Sequence, residues 1–301
     1  MPSFRAAPVR VRVPATSANL GPAFDSAGLA LSLYDDVVVR VADSGLVVDI
    51  AGEGADTLPR DKRHLLVKAL RATFDRLGGQ PRGLEVVCAN RIPQSRGLGS
   101  SSAAIVAAVV AARALVLGGE EDLDGEAALA LATEIEGHPD NVAACLYGGL
   151  TFAWTGSGGV RVHRVDVHPQ VAPVAFVPTN KASTKKVRGL LPEVVPHADA
   201  AANSARTALL ALGLTRSPEL LLDATEDRLH QSYRATAMPR SAALVERLRG
   251  DGVPAVISGA GPTVLALATP TTIQDVVGRA PRGWEALSLP VDATGAAVVP
   301  L

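Results

Sequence analysis

The first half of the chain alternates apolar and polar residues with a period of two, the pattern of strands with one buried face. Residues 9–13 show this alternation over a full strand, and the later apolar runs are bounded by glycine, proline and asparagine. The pattern predicts strands at residues 9–13, 29–33, 36–41, 46–50, 83–88, 150–154, 160–167, 174–178, 255–258 and 264–268.

Segments with helical periodicity separate these strands. In residues 61–77, Leu66, Leu70, Phe74 and Leu77 lie on one apolar stripe. The predicted helices are 61–77, 101–117, 124–136, 185–191, 198–212, 218–231 and 239–249. Because the strands cluster and do not alternate strictly with helices, the pattern predicts an α+β fold and argues against a doubly wound sheet.

The length of 301 residues is sufficient for two domains, each with its own core. The most linker-like stretch in the middle is the glycine-serine run at 156–159, whose composition also suits the tip of a hairpin. We therefore predict an N-terminal domain over residues 1–160 and a C-terminal domain over residues 161–301.

Composition narrows the class of protein. The 29 basic and 30 acidic residues nearly cancel, so no charge excess favours nucleic acid or an anionic membrane as a partner. Cys88 and Cys145 both lie among apolar residues, as expected for buried thiols in a reducing compartment. The longest apolar run, 103–117, contains Arg113 and is too short to span a bilayer, and the N-terminus lacks a secretory signal. We expect a cytoplasmic protein.

A glycine- and serine-rich turn joins the strand at 83–88 to the alanine-rich helix that follows. Such a turn can bind phosphate, because glycines let the backbone close on a ligand and helix N-terminal N–H groups point at it. No lysine lies between Lys68 and Lys181, which excludes a P-loop, and Ser102 stands where a dinucleotide fingerprint has its third glycine. The alternative is that the serines only cap a core helix.

At this turn the chain resembles a known family. Residues 92–103 resemble the signature of the galactokinase, homoserine kinase, mevalonate kinase and phosphomevalonate kinase superfamily, and residues 258–263 resemble its third motif, which contains Gly259 and Gly261. The resemblance implies an ATP-dependent small-molecule kinase with a ferredoxin-like C-terminal half. It assigns ATP binding to Pro93, Gln94, Ser95, Arg96, Gly97, Leu98, Gly99, Ser100, Ser101, Ser102 and Ala103.

A second loop, residues 14–25, resembles the N-terminal motif of the homoserine kinases. Physically, an amide and a carboxylate on one loop can hold a small zwitterion, although the same residues can form an Asx-rich turn that caps itself. The resemblance implies phosphorylation of L-homoserine by ATP and a homodimer. It implies a substrate site made of Asn19, Asp25, His138, Asp140, Arg188 and Arg234.

The resemblance also implies a metal site, with Mg²⁺ held by Ser101 and Glu134; Glu136 is the rival ligand, because the segment varies in length within the family. Asp140 or Asn141 is expected to position the hydroxyl proton, unless the γ-phosphate takes it. Three other functions stay open: a kinase of the same superfamily for another substrate, a decarboxylase of the superfamily, and a nucleotide-binding regulator without catalysis.

Overall fold

Two β-sheets organise the residues that the computed structural model describes, 2–180 and 187–301. The strands are β1 (Val9–Ala18), β2 (Ala27–Ala42), β3 (Gly45–Gly52), β4 (Gly83–Asn90), β5 (Leu150–Gly156), β6 (Gly159–Val165), β7 (Ala172–Pro178), β8 (Ala255–Ile257), β9 (Val264–Ala268), β10 (Trp284–Ser288) and β11 (Ala297–Val299). The α-helices are α1 (Leu65–Arg76), α2 (Ser100–Leu115), α3 (Gly119–Asp122), α4 (Gly125–Glu136), α5 (Asp140–Tyr147), α6 (His197–Thr215), α7 (Leu221–Ala224), α8 (Gln231–Arg234), α9 (Pro239–Gly250) and α10 (Ile273–Val277).

The first sheet has the strand order β11-β1-β2-β4-β3, with β5 paired to β2 and β6 paired to β5. Only β3 and β4 are parallel, and α1 makes the crossover between them. The two strands predicted at 29–33 and 36–41 form the single long strand β2, because β1 pairs along both parts of it. A register shift between Pro14 and Ala15 absorbs the irregularity between those parts.

Helix α2 is the central helix of the N-terminal half. Twelve of its sixteen residues are buried, so it is enclosed on nearly all sides and has no wide polar face. The apolar stripe of α1, including Leu66, Leu70 and Phe74, is buried in the same core. Helix α5 was not predicted, because residues 138–141 indicated only a turn; it begins directly after Pro139 and brings Asp140 into the interior.

The second sheet has the order β10-β7-β9-β8, with all neighbours antiparallel. The connections β7–helices–β8–β9–α10–β10 give the ferredoxin-like arrangement. The helix predicted over 218–231 is wrong as a continuous element: α7 ends at Ala224, and the Asp227 carboxylate accepts hydrogen bonds from the N–H groups of Leu229, His230 and Gln231. These side-chain bonds replace helical ones.

The pairing of strands crosses the domain boundary expected at residue 160, which falls inside β6. Because β6 pairs with β5, residues 159–165 belong to the first sheet, and β11 returns from the C-terminus to pair with β1. We therefore propose that the domains divide after Val165, with the C-terminal strand added back to the N-terminal domain.

No helix in the described part of the chain is long and apolar enough to cross a membrane. The first two residues of the helix expected over 185–191 lie outside the described residues.

Candidate active site

The phosphate-type turn lies between the end of β4 and the start of α2. Gly97 and Gly99 have φ angles of 83° and 72°, in the left-handed region that favours glycine. A Cβ on Gly99 would also collide with the hydroxyl of Thr16. The N-cap residue of α2 is Gly99, which has no side chain to cap the helix, so the first N–H groups have no side-chain partner from this position. This geometry favours an anion site over the alternative in which the serines only cap the helix.

A carboxylate lies beside this turn. Glu136 Oε1 accepts hydrogen bonds from Ser101 Oγ at 2.6 Å and from Ser102 Oγ at 2.8 Å. The expectation that Glu134 partners Ser101 does not match this geometry: Glu134 is exposed on α4 and does not line the cavity, whereas Glu136 does. Two residues along a helix are rotated by about 200°, so the two carboxylates point in nearly opposite directions.

Residues 93–103 divide between the cavity and the core. Gln94, Ser95, Gly97, Gly99, Ser100, Ser101 and Ala103 line the cavity, whereas Pro93, Arg96, Leu98 and Ser102 do not. The family resemblance assigns Arg96 to ATP binding. Instead, its guanidinium lies 3.5 Å from Glu53 and donates to the carbonyl of Thr179 at 3.0 Å.

The loop after β1 has an unusual backbone. Asn19, Leu20 and Asp25 have φ angles of 69°, 48° and 53°, which non-glycine residues adopt only at a cost. Asn19 holds the loop in place: its amide donates to the carbonyl of Gly259 at 2.9 Å and accepts from the N–H of Asp25 at 2.9 Å. Ala23, in the same loop, does not have a positive φ.

Asp25 lies opposite an arginine from the C-terminal domain. Arg188 donates to both Asp25 oxygens, at 2.8 and 2.7 Å, and these bonds raise the pKa of Arg188. A second arginine, Arg234, is only 2% exposed and lies 5.3 Å from the ring of Phe24. Burial, and then the charge of Arg188, lower the pKa of Arg234.

Arg234 is incompletely paired. Its Nη1 donates weakly to the carbonyl of Gly259 at 3.4 Å and to Nδ1 of His230 at 3.2 Å, and its Nε has no partner among the described residues. His230 accepts at Nδ1 because its Nε2 donates to the carbonyl of Gly21. Burial lowers the pKa of His230, so no second positive charge forms there. Gly259 lines the cavity, whereas Gly261 packs against Met238.

A histidine and a carboxylate are paired at the start of α5. His138 Nδ1 and Asp140 Oδ1 are 2.6 Å apart, and the same oxygen accepts from the N–H of Asn141 at 2.7 Å. The bond to Asp140 raises the pKa of His138 despite its burial. Asn141 Oδ1 accepts from Thr16 Oγ1 at 2.8 Å. Asp140 therefore orients His138, and Asn141 ties α5 to β1.

One cavity of about 600 Å³ connects these groups. Its charged end contains Asn19, Asp25, His138, Asp140, Asn141, Arg188, Arg234 and Gly259, and the helix α2 N-terminus lies along it. Its other end is mainly apolar and is lined by Val13, Val37, Leu58, Leu65, Leu66 and Cys88, with Asp35, His64 and Asn90 as polar members.

Sequence reasoning missed this second end. His64 is 4% exposed, and both of its ring nitrogens lack partners among the described residues. Burial lowers the pKa of His64, so the ring is neutral. Asp35 is 5% exposed, and burial raises its pKa to about 6. In the sequence, the only sign of this end of the cavity is that Asp35 is a carboxylate within an apolar strand. The sequence does not show which face of that strand is buried.

Comparison with known proteins agrees with this geometry. The family model "GHMP kinases N terminal domain" matches residues 64–149, and "GHMP kinases C terminal" matches residues 205–286. Both halves of the fold are therefore those of a GHMP kinase, which confirms the predicted two-domain α+β class.

Individual relatives define the family more narrowly than these two family models do. The chain is 68% identical to a homoserine kinase of Streptomyces coelicolor over 100% of this chain and 97% of that one, and 51% identical to one of Clavibacter michiganensis over 96% and 93%. The crystal structure of homoserine kinase from Cytophaga hutchinsonii superposes with a TM-score of 0.84 at 25% identity, covering 99% of each chain. A Leishmania major mevalonate kinase, at 18% identity and a TM-score of 0.70 over 98% and 100%, shares the fold. The chain belongs to the homoserine kinase family.

Proposed function

We propose that the chain transfers the γ-phosphoryl group of ATP to the side-chain hydroxyl of L-homoserine, forming O-phospho-L-homoserine. The observation that carries this proposal is the single cavity in which an uncapped helix N-terminus adjoins a carboxylate and two guanidiniums. The helix N-terminus suits phosphates, and the carboxylate with the two guanidiniums suits a small amino acid in its zwitterionic form. The homoserine kinase relatives support the same assignment.

The charged end is the proposed homoserine site. Asp25 accepts the substrate ammonium, and Arg188 and Arg234 bind the carboxylate, because arginine matches a carboxylate with two parallel N–H groups. Without substrate, Asp25 and Arg188 neutralise each other. The zwitterion exchanges this internal ion pair for two ion pairs with its own charges, so the net charge of the pocket stays unchanged.

The turn at the start of α2 is the proposed phosphate site, and Ser101 and Glu136 would hold Mg²⁺. Both offer hard oxygen atoms, and they already lie 2.6 Å apart. Mg²⁺ needs only one or two protein oxygens when phosphates and water complete its shell. When bound, the ion would neutralise charge on the transferring phosphoryl group.

The apolar end is the proposed site of the adenine base. A flat base can lie among Leu58, Leu65 and Val37, with the neutral ring of His64 beside them in the wall of the cavity.

Catalysis in this proposal depends mainly on positioning. Asp140 holds His138 at 2.6 Å, and His138, which lines the cavity beside Asp25, orients the homoserine hydroxyl. The transition state of phosphoryl transfer is loose, so the hydroxyl proton leaves late and the phosphoryl oxygens can accept it. Holding the two reactants in line is worth about 7–11 kcal/mol.

The test is a coupled ADP-release assay with L-homoserine, mevalonate, galactose and shikimate, each with and without the chain. We expect turnover with L-homoserine alone. Turnover with only one of the other three substrates would contradict the proposal, and ATP binding without turnover on any of them would indicate the non-catalytic regulator.

We also propose a homodimer, as the family resemblance implies. On the outer face of the first sheet Val47 and Val87 are about half exposed, among charged residues of the same face. Light scattering after size-exclusion chromatography would give twice the mass of the chain, and a monomer at micromolar concentration would contradict it.

A further inference from the structure

Asp35 occupies an unusual position on β2. It pairs in register with Val13 of β1, and the next residue, Asp36, pairs with Ala89 near the end of β4. Asp35 is therefore on the inner face of the sheet at the point where β4 ends and the chain turns toward the phosphate site. The two neighbouring carboxylates point to opposite faces, as residues i and i+1 of a strand do.

The Asp35 carboxylate binds the backbone that enters the phosphate turn. One of its oxygens accepts from the N–H of Arg91 at 2.6 Å and from the N–H of Ile92 at 2.8 Å. Pro93 follows and has no N–H group of its own. Arg91 and Ile92 are therefore the last residues before this proline whose backbone can donate a hydrogen bond. Both donors are backbone groups, so the contact fixes the path of the chain independently of its side chains.

The other contacts that hold the backbone of the turn are neutral. The carbonyl of Gly97 accepts from the hydroxyl of Ser258 at 2.6 Å, and the carbonyl of Arg96 accepts from the N–H of Thr263 at 3.1 Å. Asp35 is the contact that carries a charge, and no cation in the described part of the chain lies within salt-bridge distance of it. Burying an unpaired carboxylate is costly, so a neutral acceptor would serve a purely structural purpose at lower cost.

We propose that Asp35 is a positioning residue for nucleotide binding: its two hydrogen bonds to the N–H groups of Arg91 and Ile92 set where the phosphate turn meets the cavity. Asp35 itself lines that cavity, so the same residue contacts both the backbone of the turn and the proposed nucleotide site. This inference rests on the proposed function only in that the nucleotide is ATP; it does not depend on which substrate accepts the phosphoryl group.

The test separates hydrogen bonding from charge with two variants. Asp35→Asn keeps an oxygen for the two N–H groups but loses the charge, whereas Asp35→Glu keeps the charge but displaces the oxygens by one methylene. We expect Asp35→Glu to weaken ADP binding and to raise KM for ATP by at least about tenfold, the effect of losing one charge-assisted hydrogen bond, with KM for homoserine within about twofold. Asp35→Asn keeps an acceptor for both N–H groups but makes the bonds neutral, so we expect it to weaken ADP binding and raise KM for ATP by about threefold, less than Asp35→Glu does.

Asp36→Asn is the matched control. It changes the adjacent carboxylate, which binds Arg10 and Arg12 on the other face and does not touch the turn, so ADP affinity should be unchanged. Circular dichroism and Tm establish that each variant is folded before kinetics are compared. ADP binding by calorimetry needs no acceptor substrate, so it tests Asp35 even if homoserine fails as the substrate. Equal ADP affinity for Asp35→Glu and the wild type, or equal losses for both Asp35 variants, would overturn the inference.

Discussion

The adjacent carboxylates Asp35 and Asp36 should make opposite contributions to the pH dependence of stability. Burial raises the pKa of Asp35 to about 6 from an ordinary value of 3.8, and the nearby charges of Asp36 and Glu53 add to the rise, although its two backbone hydrogen bonds oppose it. For Asp36, burial also acts upward, but hydrogen bonds from Arg12 and Arg10 outweigh it and lower the pKa.

The sign for Asp35 follows from proton binding. Between pH 3.8 and about 6 the folded chain holds a proton at Asp35 that the unfolded chain has released, so the free energy of unfolding falls as the pH rises through this window. Two pKa units correspond to about 3 kcal/mol, of which roughly half is lost between pH 5 and pH 8. Asp35→Asn removes this loss because the amide does not titrate.

The measurement is Tm by calorimetry at pH 5 and pH 8, at one ionic strength and without ligand. The Tm difference between Asp35→Asn and the wild type should be more positive at pH 8 than at pH 5, by about 2 °C for a chain of this size. Asp36→Asn should instead be less stable than the wild type by the same amount at both pH values, because the lowered pKa of Asp36 gives its full stabilisation above the ordinary value of 3.8. A Tm difference for Asp35→Asn that is the same at both pH values would refute the reasoning.

Three further predictions concern ligand binding. Glu136→Gln should raise the Mg²⁺ concentration for half-maximal activity about tenfold, whereas Glu134→Gln should leave it unchanged; equal effects would remove Glu136 as a ligand. Arg234→Met should raise KM for homoserine at least about tenfold with KM for ATP unchanged, because it removes a charged hydrogen-bond donor, and the exposed Arg240→Met is its control. His64→Leu should raise KM for ATP and not for homoserine. An unchanged KM for ATP would contradict the placement of the adenine base beside His64.

The parts of the site that are continuous in sequence were predictable. The phosphate turn depends on the local order of strand, glycines and helix, and Gly97 and Gly99 adopt the backbone that this order requires. The loop that contains Asn19 and Asp25 is equally local. Its expected side-chain roles remain predictions, and the structure adds that Asn19 already makes two internal hydrogen bonds.

Some contacts depend on which way a helix faces or on which elements pack over a sheet, and these contacts were not predictable. Glu134 and Glu136 differ by two positions near the end of α4, and only the packed helix shows which one faces Ser101. Asp35 and His64 are buried by elements distant in sequence, so nothing in their local pattern distinguishes them from surface residues. The same limit applies to β11, whose partner β1 lies almost 300 residues away in the chain.

The two ends of the cavity share a physical feature that links stability to function. Asp35 and Arg234 are both nearly fully buried, and neither has a full ion-pair partner among the described residues. Each charge therefore lowers the stability of the free chain, and in the proposed function the homoserine carboxylate supplies the interactions that Arg234 lacks. It follows that Arg234→Met, like Asp35→Asn, should raise Tm without ligand, and that homoserine should raise the Tm of the wild type more than that of Arg234→Met. A lower Tm for ligand-free Arg234→Met would mean that Phe24 and His230 already compensate the buried charge, and that the arginine serves the fold before it serves the substrate.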